Sequence, residues 1–520
     1  MNLVALPILL PLIGAGCCLF VLGRRRPQAW IATIVGIACL AASCTLAAMA
    51  FRDEPAVVAV GGWRAPFGIV LVADRLGSVM AVLTWIVGLA SIVYSMAGAP
   101  ARTSRAGHYP VMLALLASVS GAFLTGDLFN LYVWFELLLI SSFVLLTLGG
   151  SREQIRGAVT YVTLNLLSSA IFLIGAGIAY AMTGTLNMAD LALRLDAMSP
   201  GVATLIAAPL LVAFAIKAAL FPLYGWLPAA YHTPAPVTSA LFAGLLTKVG
   251  VYALIRTLTL MADQQPGPVG FVMVLGAILT MLSGVLGAVA MADMRRILSF
   301  HIVSQIGYML MGTGIAVAAI GDNAIDRSVA VLALAGAILY IMHHIVVKTN
   351  LFLIAGVVHR RYGTTELSKV SGILRTDPLL AGLFLFAALS LAGIPILSGF
   401  WAKLALVRAG IEAGQHAVVV AALVVSLLTL FSMMKIWTNA FWGEPSALVL
   451  ERAKRPKPAS MMVAIWGLTL ISAFVAFGAP ILWPMARATA EELLESERYI
   501  RVVLPSRPVV GASDEPEAVR

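Results

Sequence analysis

A long succession of apolar segments, each about twenty residues in length, is the feature that most constrains this chain. A helix of about 20 residues can cross the ~30 Å hydrocarbon core of a bilayer, whereas a membrane β-barrel would show short segments of alternating hydrophobicity. The sequence therefore predicts an all-α polytopic membrane protein with about fourteen transmembrane helices. The apolar segments are 2–22, 29–51, 74–98, 109–126, 128–149, 157–182, 203–229, 235–260, 268–291, 297–318, 328–357, 379–409, 415–441 and 461–485.

The charged residues are few and unevenly placed. They make up 11% of the chain, against about 25% in soluble domains. The formal net charge is +10, but Lys and Arg are concentrated in loops after odd-numbered segments, which indicates membrane orientation and not nucleic-acid binding. By the positive-inside rule these loops are cytoplasmic and both termini lie outside. The cations are Arg24–Arg26, Arg102, Arg105, Arg152, Arg156, Arg295, Arg296, Arg360, Arg361, Lys369, Arg375, Arg452, Lys454, Arg455 and Lys457.

Two segments are interrupted near their middle, the seventh at Pro222 and the twelfth at Pro395. Proline removes a backbone donor and clashes with the preceding turn, so both helices are predicted to break. The breaks lie five segments apart, and paired interruptions of this kind are typical of transporters with inverted repeats. We therefore expect two inverted five-helix repeats, helices 4–8 and 9–13, with broken helices 7 and 12.

This pattern divides the chain into consecutive parts. The stretch from Glu491 to Arg501 is predicted to form an interfacial helix, and the tail from Pro505 to Arg520, rich in Pro, Gly, Ser and acids, is predicted to be disordered. The predicted parts are 1–108 for helices 1–3, 109–260 for the first repeat, 268–441 for the second repeat, 461–485 for helix 14 and 486–520 for a polar tail.

Ionisable residues deep inside these segments carry the functional signal. Each costs roughly 2.5–3.5 kcal/mol at the bilayer centre, and such residues usually mark ion or proton pathways. Glu136 in the fifth segment is the only carboxylate well inside a span, and Lys217 in the seventh is its natural partner. The alternative is an inert ion pair that locks two helices together. The deep group comprises Glu136, Lys217, Lys248, Lys348 and Lys403.

The eleventh segment adds histidines to these lysines. His344 and Lys348 are one helical turn apart on one face, and both types of side chain can titrate near neutral pH, which suits a proton relay. Alternatively, His344 is a hydrogen-bonded core histidine and Lys348 extends to the cytoplasmic interface. His343 points to another face. His301 and Lys435 lie nearer the cytoplasmic ends of their helices, where a lysine can snorkel, and are weaker candidates.

Other chemistries lack a sequence signature. No His, Asp and Glu cluster has metal-ligand spacing, and there is no Cys-x-x-Cys pair, Walker loop or dinucleotide glycine motif. We therefore expect neither a cofactor nor a metal, so transport would draw on an ion gradient or on a partner.

The chain resembles the proton-antiporter family shared by respiratory complex I, membrane-bound hydrogenases and Mrp-type cation/proton antiporters. That family has Glu on helix 5, Lys on broken helix 7, Lys or His on helix 8, His and Lys on helix 11, and Lys or Glu on broken helix 12. The motifs Thr125-Gly-Asp-Leu-Phe-Asn-Leu-Tyr-Val-Trp-Phe-Glu136 and Ser398-Gly-Phe-Trp-Ala-Lys403 look most like the Mrp branch. Glu136, Lys217, Lys248, His344, Lys348 and Lys403 occupy the family positions.

The resemblance implies a proton-translocating, non-enzymatic subunit of a multisubunit Na⁺/H⁺ antiporter in a bacterial inner membrane. Its partners would be other membrane subunits and the lipid bilayer, with protons and Na⁺ as the transported ions. An alternative is a pumping subunit of an NADH-quinone oxidoreductase or a membrane-bound hydrogenase. A third hypothesis, an enzyme acting on lipid-linked substrates, is disfavoured because the loops are short and chemically poor.

Overall fold

The computed structural model describes residues 2–52, 54–98, 107–261, 265–321, 325–453, 455 and 457–505. Three of the cations used to predict orientation, Arg102, Arg105 and Lys454, lie outside these residues. The tail from 506 to 520, for which disorder is predicted, also lies outside them.

The first half of the chain forms helices separated by short turns. Many begin with a side chain that caps free backbone N–H groups, as Ser151 and Gln154 do in a capping box and Asp127 does for Asn130. The helices are α1 (Leu6–Phe20), α2 (Arg25–Arg52), α3 (Arg75–Gly98), α4 (His108–Leu124), α5 (Leu128–Thr147), α6 (Arg152–Thr183), α7 (Met188–Asp196), α8 (Pro200–Ala218), α9 (Trp226–Ala230) and α10 (Pro236–Leu260).

The second half continues in the same way, with Asp293, Asp326 and Asp377 as N-caps. Its helices are α11 (Pro266–Ala290), α12 (Met294–Ile320), α13 (Arg327–Tyr362), α14 (Ile373–Thr376), α15 (Pro378–Ala392), α16 (Ser398–Glu412), α17 (His416–Ile436), α18 (Ala447–Arg452), α19 (Ala459–Phe477), α20 (Ala479–Leu494) and α21 (Ser496–Val503). Short 3₁₀ turns are Leu3–Ala5 and Val60–Gly62, and Trp437–Phe441 is a π-helical turn.

Within the described residues, twelve helices are long and apolar enough to cross a membrane, and α4 and α15 are shorter apolar helices. The prediction of an all-α polytopic membrane protein is confirmed. The number of crossings, the inverted repeats and the domain boundaries stay predictions.

The two predicted helix breaks are present. Helix α8 ends at Ala218, Ala219 adopts φ 61°, and the chain turns before α9 begins. Helix α15 ends at Ala392, and α16 begins at Ser398 after Ile396, which has φ 74°. Among the described residues these are the two non-glycine positions with positive φ. Such strained backbone persists only where the surrounding structure imposes it.

A small β-hairpin departs from the all-helical prediction. Strands β1 (Ala56–Ala59) and β2 (Val70–Ala73) pair antiparallel, with Ala56 opposite Ala73 and Ala59 opposite Val70. The sequence predicts only a loop over 52–73. Four-residue strands are too short to give a clear alternating pattern, and β2 is buried along its whole length.

Burial increases from the periphery of the bundle to its centre. Helices α10 and α13 are buried along nearly their whole length. Helices α2 and α6 instead expose large apolar side chains such as Trp30 and Val159, as expected for surfaces that face lipid. The predicted helix 14 is shorter than expected because it ends at Phe477, and a second helix, α20, continues from Ala479.

Candidate functional site

Lys217 lies in the last turn of α8, directly before the break. Its ammonium donates to Ser169 Oγ at 3.2 Å and to the Asn165 carbonyl at 3.4 Å. It also lies 5.4 Å from the centroid of the Phe135 ring. The side chain is buried, so neutral dipoles and an aromatic face solvate this cation.

Glu136 lies on α5, near Lys217. The Glu136 and Lys217 side chains are close enough for their charges to attract each other. Glu136 Oε1 is buried and has no hydrogen-bond partner among the described residues. No ion pair within 4.0 Å joins the two in the described part of the chain. The predicted partners are neighbours, but they are not locked together as the inert-ion-pair interpretation requires.

Lys248 lies in the middle of α10 and is fully buried. Its ammonium donates to the Ala243 carbonyl at 2.5 Å. One turn away, a Cβ on Gly244 would come within 2.3 Å of Thr349 Oγ1 on α13. Helices α10 and α13 therefore pack closely at this level, and Lys248 acts electrostatically on Lys348.

His344 and Lys348 are both fully buried on α13. Within the described residues, neither ring nitrogen of His344 nor the Lys348 ammonium has a hydrogen-bond partner. The structure therefore contradicts the alternatives of a hydrogen-bonded core histidine and of a lysine that extends to the interface. A buried polar group without a partner costs about 1–3 kcal/mol or more, so these two groups are poor candidates for a purely structural role.

His343 contacts the second helix break. Its Nδ1 lies 2.8 Å from Ser398 Oγ, and Ser398 is 3.2 Å from Ser472 Oγ on α19. A Cβ on Gly399 would lie 2.9 Å from His343 Nε2. His343 and His344 point to different neighbours, as predicted, but both rings contact Tyr340, with centroids 5.6 and 6.3 Å away.

Lys403 lies across the break from the end of α15. Its ammonium donates to the carbonyls of Leu391 at 3.3 Å and Ala392 at 2.9 Å, and to Ser426 Oγ at 3.1 Å. It also lies 4.6 Å from the centroid of the Tyr308 ring. A cation is favoured at a helix C-terminus because unpaired carbonyls carry partial negative charge there.

Four uncharged side chains lie between the His343/His344 pair and Lys403. Tyr340 donates to Gln305 Oε1 and stacks on Tyr308 at 5.2 Å. The Tyr308 hydroxyl lies 2.7 Å from Ser426 Oγ, which also accepts from Lys403. Hydrogen bonds thus join Tyr340 to Gln305 and Tyr308 to Ser426, while ring stacking joins Tyr340 to Tyr308; together these contacts form the polar chain of this site.

The two weaker candidates occupy different surroundings. His301 is fully buried and its Nε2 lies 2.6 Å from Ser432 Oγ. Lys435 donates to the carbonyls of Val289 at 3.1 Å and Met291 at 2.7 Å. Lys435 therefore lies at the end of α11, where a cation is favoured, and His301 lies buried against α17.

Comparison with known proteins places this arrangement in a family. The family described as NADH:quinone oxidoreductase/Mrp antiporter, transmembrane, matches residues 125–429, which include both breaks and every deep ionisable residue. The chain belongs to this family. It is 43% identical over 504 residues to the D-type subunit of the Na⁺/H⁺ antiporter of Alkalihalophilus pseudofirmus, covering 97% of this chain and 99% of the relative. It is 38% identical to the D-type subunit of the Bacillus subtilis antiporter, with the same coverage.

Two solved structures contain chains of the same architecture. A chain of the Mrp complex from Dietzia sp. DQ12-45-1b aligns with a TM-score of 0.87 and 33% identity, over 96% of this chain and 99% of that one. A chain of an archaeal membrane-bound sulfane sulfur reductase aligns with a TM-score of 0.85 over 96% and 99% of the two chains. Its sequence is 23% identical, so it shows the fold alone.

Sequence reasoning missed the uncharged members of this site. Tyr340, Gln305 and Tyr308 are buried, and each carries a polar group inside an apolar helix. A polar group inside an apolar helix is the signal that the sequence offers for such residues, because a buried hydroxyl or amide needs a hydrogen-bond partner. A charged residue is conspicuous in an apolar segment, whereas a tyrosine is not.

A charged cluster that was also missed closes one end of the bundle. Asp74 and Arg256 form a buried ion pair, and Arg75 pairs with Glu492 of α20 at 3.1 Å. Arg256 also lies 4.9 Å from the centroid of the Tyr499 ring. Burial is the main effect that raises the pKa of the Glu492 carboxyl, and the negative charge of Asp74 raises it further. The cluster attaches the C-terminal helices to α3 and α10.

The site contains cations, imidazoles, hydroxyls and one carboxylate. In the described ranges no three or more His, Cys, Asp or Glu side chains gather as metal ligands do. Titratable groups at successive positions, with hydroxyl side chains between them, can pass protons by successive protonation and release.

Proposed function

We propose that this chain is the D-type, proton-translocating subunit of a multisubunit Na⁺/H⁺ antiporter of the Mrp type. The single observation that carries the proposal is the partnerless His344 and Lys348 pair, buried between two helix breaks. Intramembrane ionisable groups without a structural partner are expected on ion and proton paths.

In this proposal Glu136 controls the protonation of Lys217. An acid beside an ammonium favours its charged form, and separation of the two reverses that preference. In the described structure no ion pair within 4.0 Å holds the two together. The proposed path then runs through Lys248 and the His344/Lys348 pair to Lys403, with His301, His343 and Lys435 as weaker members.

Tyr340, Gln305 and Tyr308 bridge the gap between the histidines and Lys403. The Tyr340 and Tyr308 hydroxyls would pass protons, with water between them, where no titratable group is close, and Gln305 would orient the Tyr340 hydroxyl. The transported ions are protons and, with the other subunits, Na⁺. The chain acts as a transporter subunit and not as an enzyme.

The proposed setting is a bacterial inner membrane. Both termini lie on the outer side, by the excess of Lys and Arg in the opposite loops. The proposed partners are the other membrane subunits of an antiporter complex. The proposed organisation remains 1–108, a first repeat at 109–260, an inverted second repeat at 268–441, helix 14 within 461–485 and a C-terminal part from 486.

The test is antiport in everted membrane vesicles carrying Glu136→Ala or Lys217→Ala. Both variants should assemble with their partner subunits and lose Na⁺-dependent proton movement. Lys369→Ala removes the same type of side chain from an exposed loop and should leave antiport unchanged. Antiport retained by Lys217→Ala would overturn the proposal. Copurification with iron–sulfur or nickel–iron subunits would instead favour the redox-complex alternative.

A further inference from the structure

Helix α6 carries a buried polar stripe that leads to Lys217. Gly157, Tyr161, Asn165 and Ser169 are buried on this helix at steps of four residues, and residues at that spacing share one face. Its far end contacts the Lys217 ammonium through Ser169 and the Asn165 carbonyl. The opposite face exposes apolar side chains such as Leu166 and Ile174.

The near end of this stripe lies beside two cavities. One, of about 430 Å³, is lined by Gln154 and His232 among others. The other, of about 690 Å³, is lined by Gly157, His232 and the exposed residues Glu153 and Arg296. Exposed residues in the lining bring the second cavity to the protein surface. In the proposed orientation this is the cytoplasmic end of the bundle.

A cluster of aromatic rings surrounds Tyr161, one helical turn after Gly157 on α6. The Tyr161 ring centroid lies 5.5 Å from that of Trp226 and 6.5 Å from that of Phe242. Tyr231, the neighbour of His232, packs on both of those rings at 5.7 and 5.5 Å. All four rings are buried, so they form an apolar barrier between the cavities and Lys217.

One hydroxyl pair crosses this barrier. Tyr161 OH lies 2.6 Å from Ser142 Oγ on α5, and either atom can donate. Ser142 is one turn from Leu145, which lines the first cavity. It is six residues from Glu136, or about 9 Å along the helix axis. Tyr231 OH is buried with no hydrogen-bond partner among the described residues.

Asn165 continues the connection. Its side-chain amide donates to the Tyr161 carbonyl at 2.9 Å, and its own carbonyl accepts from Lys217. Asn165 cannot exchange protons near neutral pH, and both contacts involve backbone carbonyls, so its contribution is structural. The stripe therefore runs from Gly157, which lines the second cavity, to the residues that contact Lys217.

We propose that the Tyr161–Ser142 hydroxyl pair is the proton inlet to the Glu136/Lys217 pair. This inference rests on the proposed function and assigns two further residues to it. A proton that arrives on the Tyr161 oxygen is balanced by release of the Tyr161 hydroxyl proton to Ser142. Ser142, whose hydroxyl otherwise donates to the Leu139 carbonyl, in turn releases its own proton to a water molecule, which carries it over the remaining distance of about 9 Å to the Glu136 carboxylate. Neither side chain changes its net charge, and reorientation of the two hydroxyls resets the pair.

The test compares two variants on one helix. Tyr161→Phe removes the hydroxyl and keeps the ring that packs on Trp226 and Phe242. Tyr180→Phe removes the same atom from the exposed face of α6. In everted vesicles with the assembled complex, Tyr161→Phe should lower antiport by about tenfold or more, and Tyr180→Phe should leave it unchanged. Wild-type antiport by Tyr161→Phe would overturn the proposal.

A second pair of variants isolates the hydroxyl from packing. Ser142→Thr and Ser142→Val have nearly the same shape, but only threonine keeps the hydroxyl. The threonine variant should retain antiport and the valine variant should lose it; equal antiport in the two would overturn the proposal. This pair decides the matter if Tyr161→Phe does not assemble.

Lys217→Ala, measured in parallel, separates the two levels of inference. Loss of antiport in Lys217→Ala together with normal antiport in Tyr161→Phe would contradict the proposed proton inlet but not the proposed function. Normal antiport in both would end the proposed function as well.

Discussion

The Lys403 ammonium lies 2.9 Å from the carbonyl of Ala392, the last residue of α15, across the second helix break. The two residues are eleven positions apart in sequence, and Gly393 lets them approach, because a Cβ there would lie 2.8 Å from Lys403 Cδ. The cation thus stabilises a helix end while remaining part of the polar chain.

Replacing Lys403 should therefore affect transport more than assembly. A charge at a helix end contributes only about 0.3–1 kcal/mol, so Lys403→Met should assemble and lose proton transport. Leu404→Met alters the neighbouring, exposed position and should transport normally. Vesicle antiport, with subunit copurification as the assembly measure, checks both; transport by Lys403→Met at the wild-type rate would contradict the role of this lysine.

Removing the Tyr340 hydroxyl should interrupt the chain between the histidines and Lys403. Tyr340→Phe breaks the hydrogen bond to Gln305 at a stability cost of about 0.5–1.5 kcal/mol, and should slow proton transport severalfold. Tyr362→Phe removes a hydroxyl near the end of the same helix, where it contacts Thr376. Comparable transport by the two variants would show that the Tyr340 hydroxyl carries no protons.

The first break depends on a close approach at Gly250. A Cβ there would lie 2.5 Å from the Ala218 backbone nitrogen and 2.7 Å from the Lys217 carbonyl carbon. Gly250→Ala should therefore displace Lys217, with an overpacking cost of about 1–3 kcal/mol and loss of antiport. Gly276→Ala, whose Cβ would meet its nearest neighbour at 3.6 Å, is the control. Normal antiport and thermal stability in Gly250→Ala would contradict this account of the break.

The ion pair of Asp74 and Arg256 offers a test of stability. Removal of one partner of a buried pair typically costs about 3–5 kcal/mol, because the other charge is left unpaired. Arg256→Met should lower the thermal unfolding midpoint of the complex, and Asp74→Asn with Arg256→Met should recover part of the loss. A double variant as unstable as the sum of the single variants would show that the two charges are not coupled.

Much of this architecture follows from the sequence, because lipid imposes strong rules. Apolar length predicts the spans, and Pro222 and Pro395 predict the breaks. The deep charges stand out because each is costly in lipid. Lys217 and Lys403 can thus be identified as candidate site residues without any knowledge of their surroundings.

The rest depends on packing between distant parts of the chain. The short strands of the β-hairpin give no clear alternation, and Tyr340 resembles any core aromatic until its hydroxyl is seen beside Gln305. Lys435, a weaker candidate by its sequence position, donates to carbonyls at the end of α11. Sequence spacing does not reveal which carbonyl a flexible side chain will reach.

The central claim is that Lys348, buried without a hydrogen-bond partner among the described residues, carries protons. Its most direct test is proton flux in proteoliposomes with Lys348→Met. Methionine keeps much of the length and volume of lysine, so the assembled complex should be preserved. We expect a Na⁺ gradient to drive proton movement across the membrane with the wild-type complex and not with the variant. Equal proton flux from the two complexes, at equal amounts of assembled protein, would contradict the account.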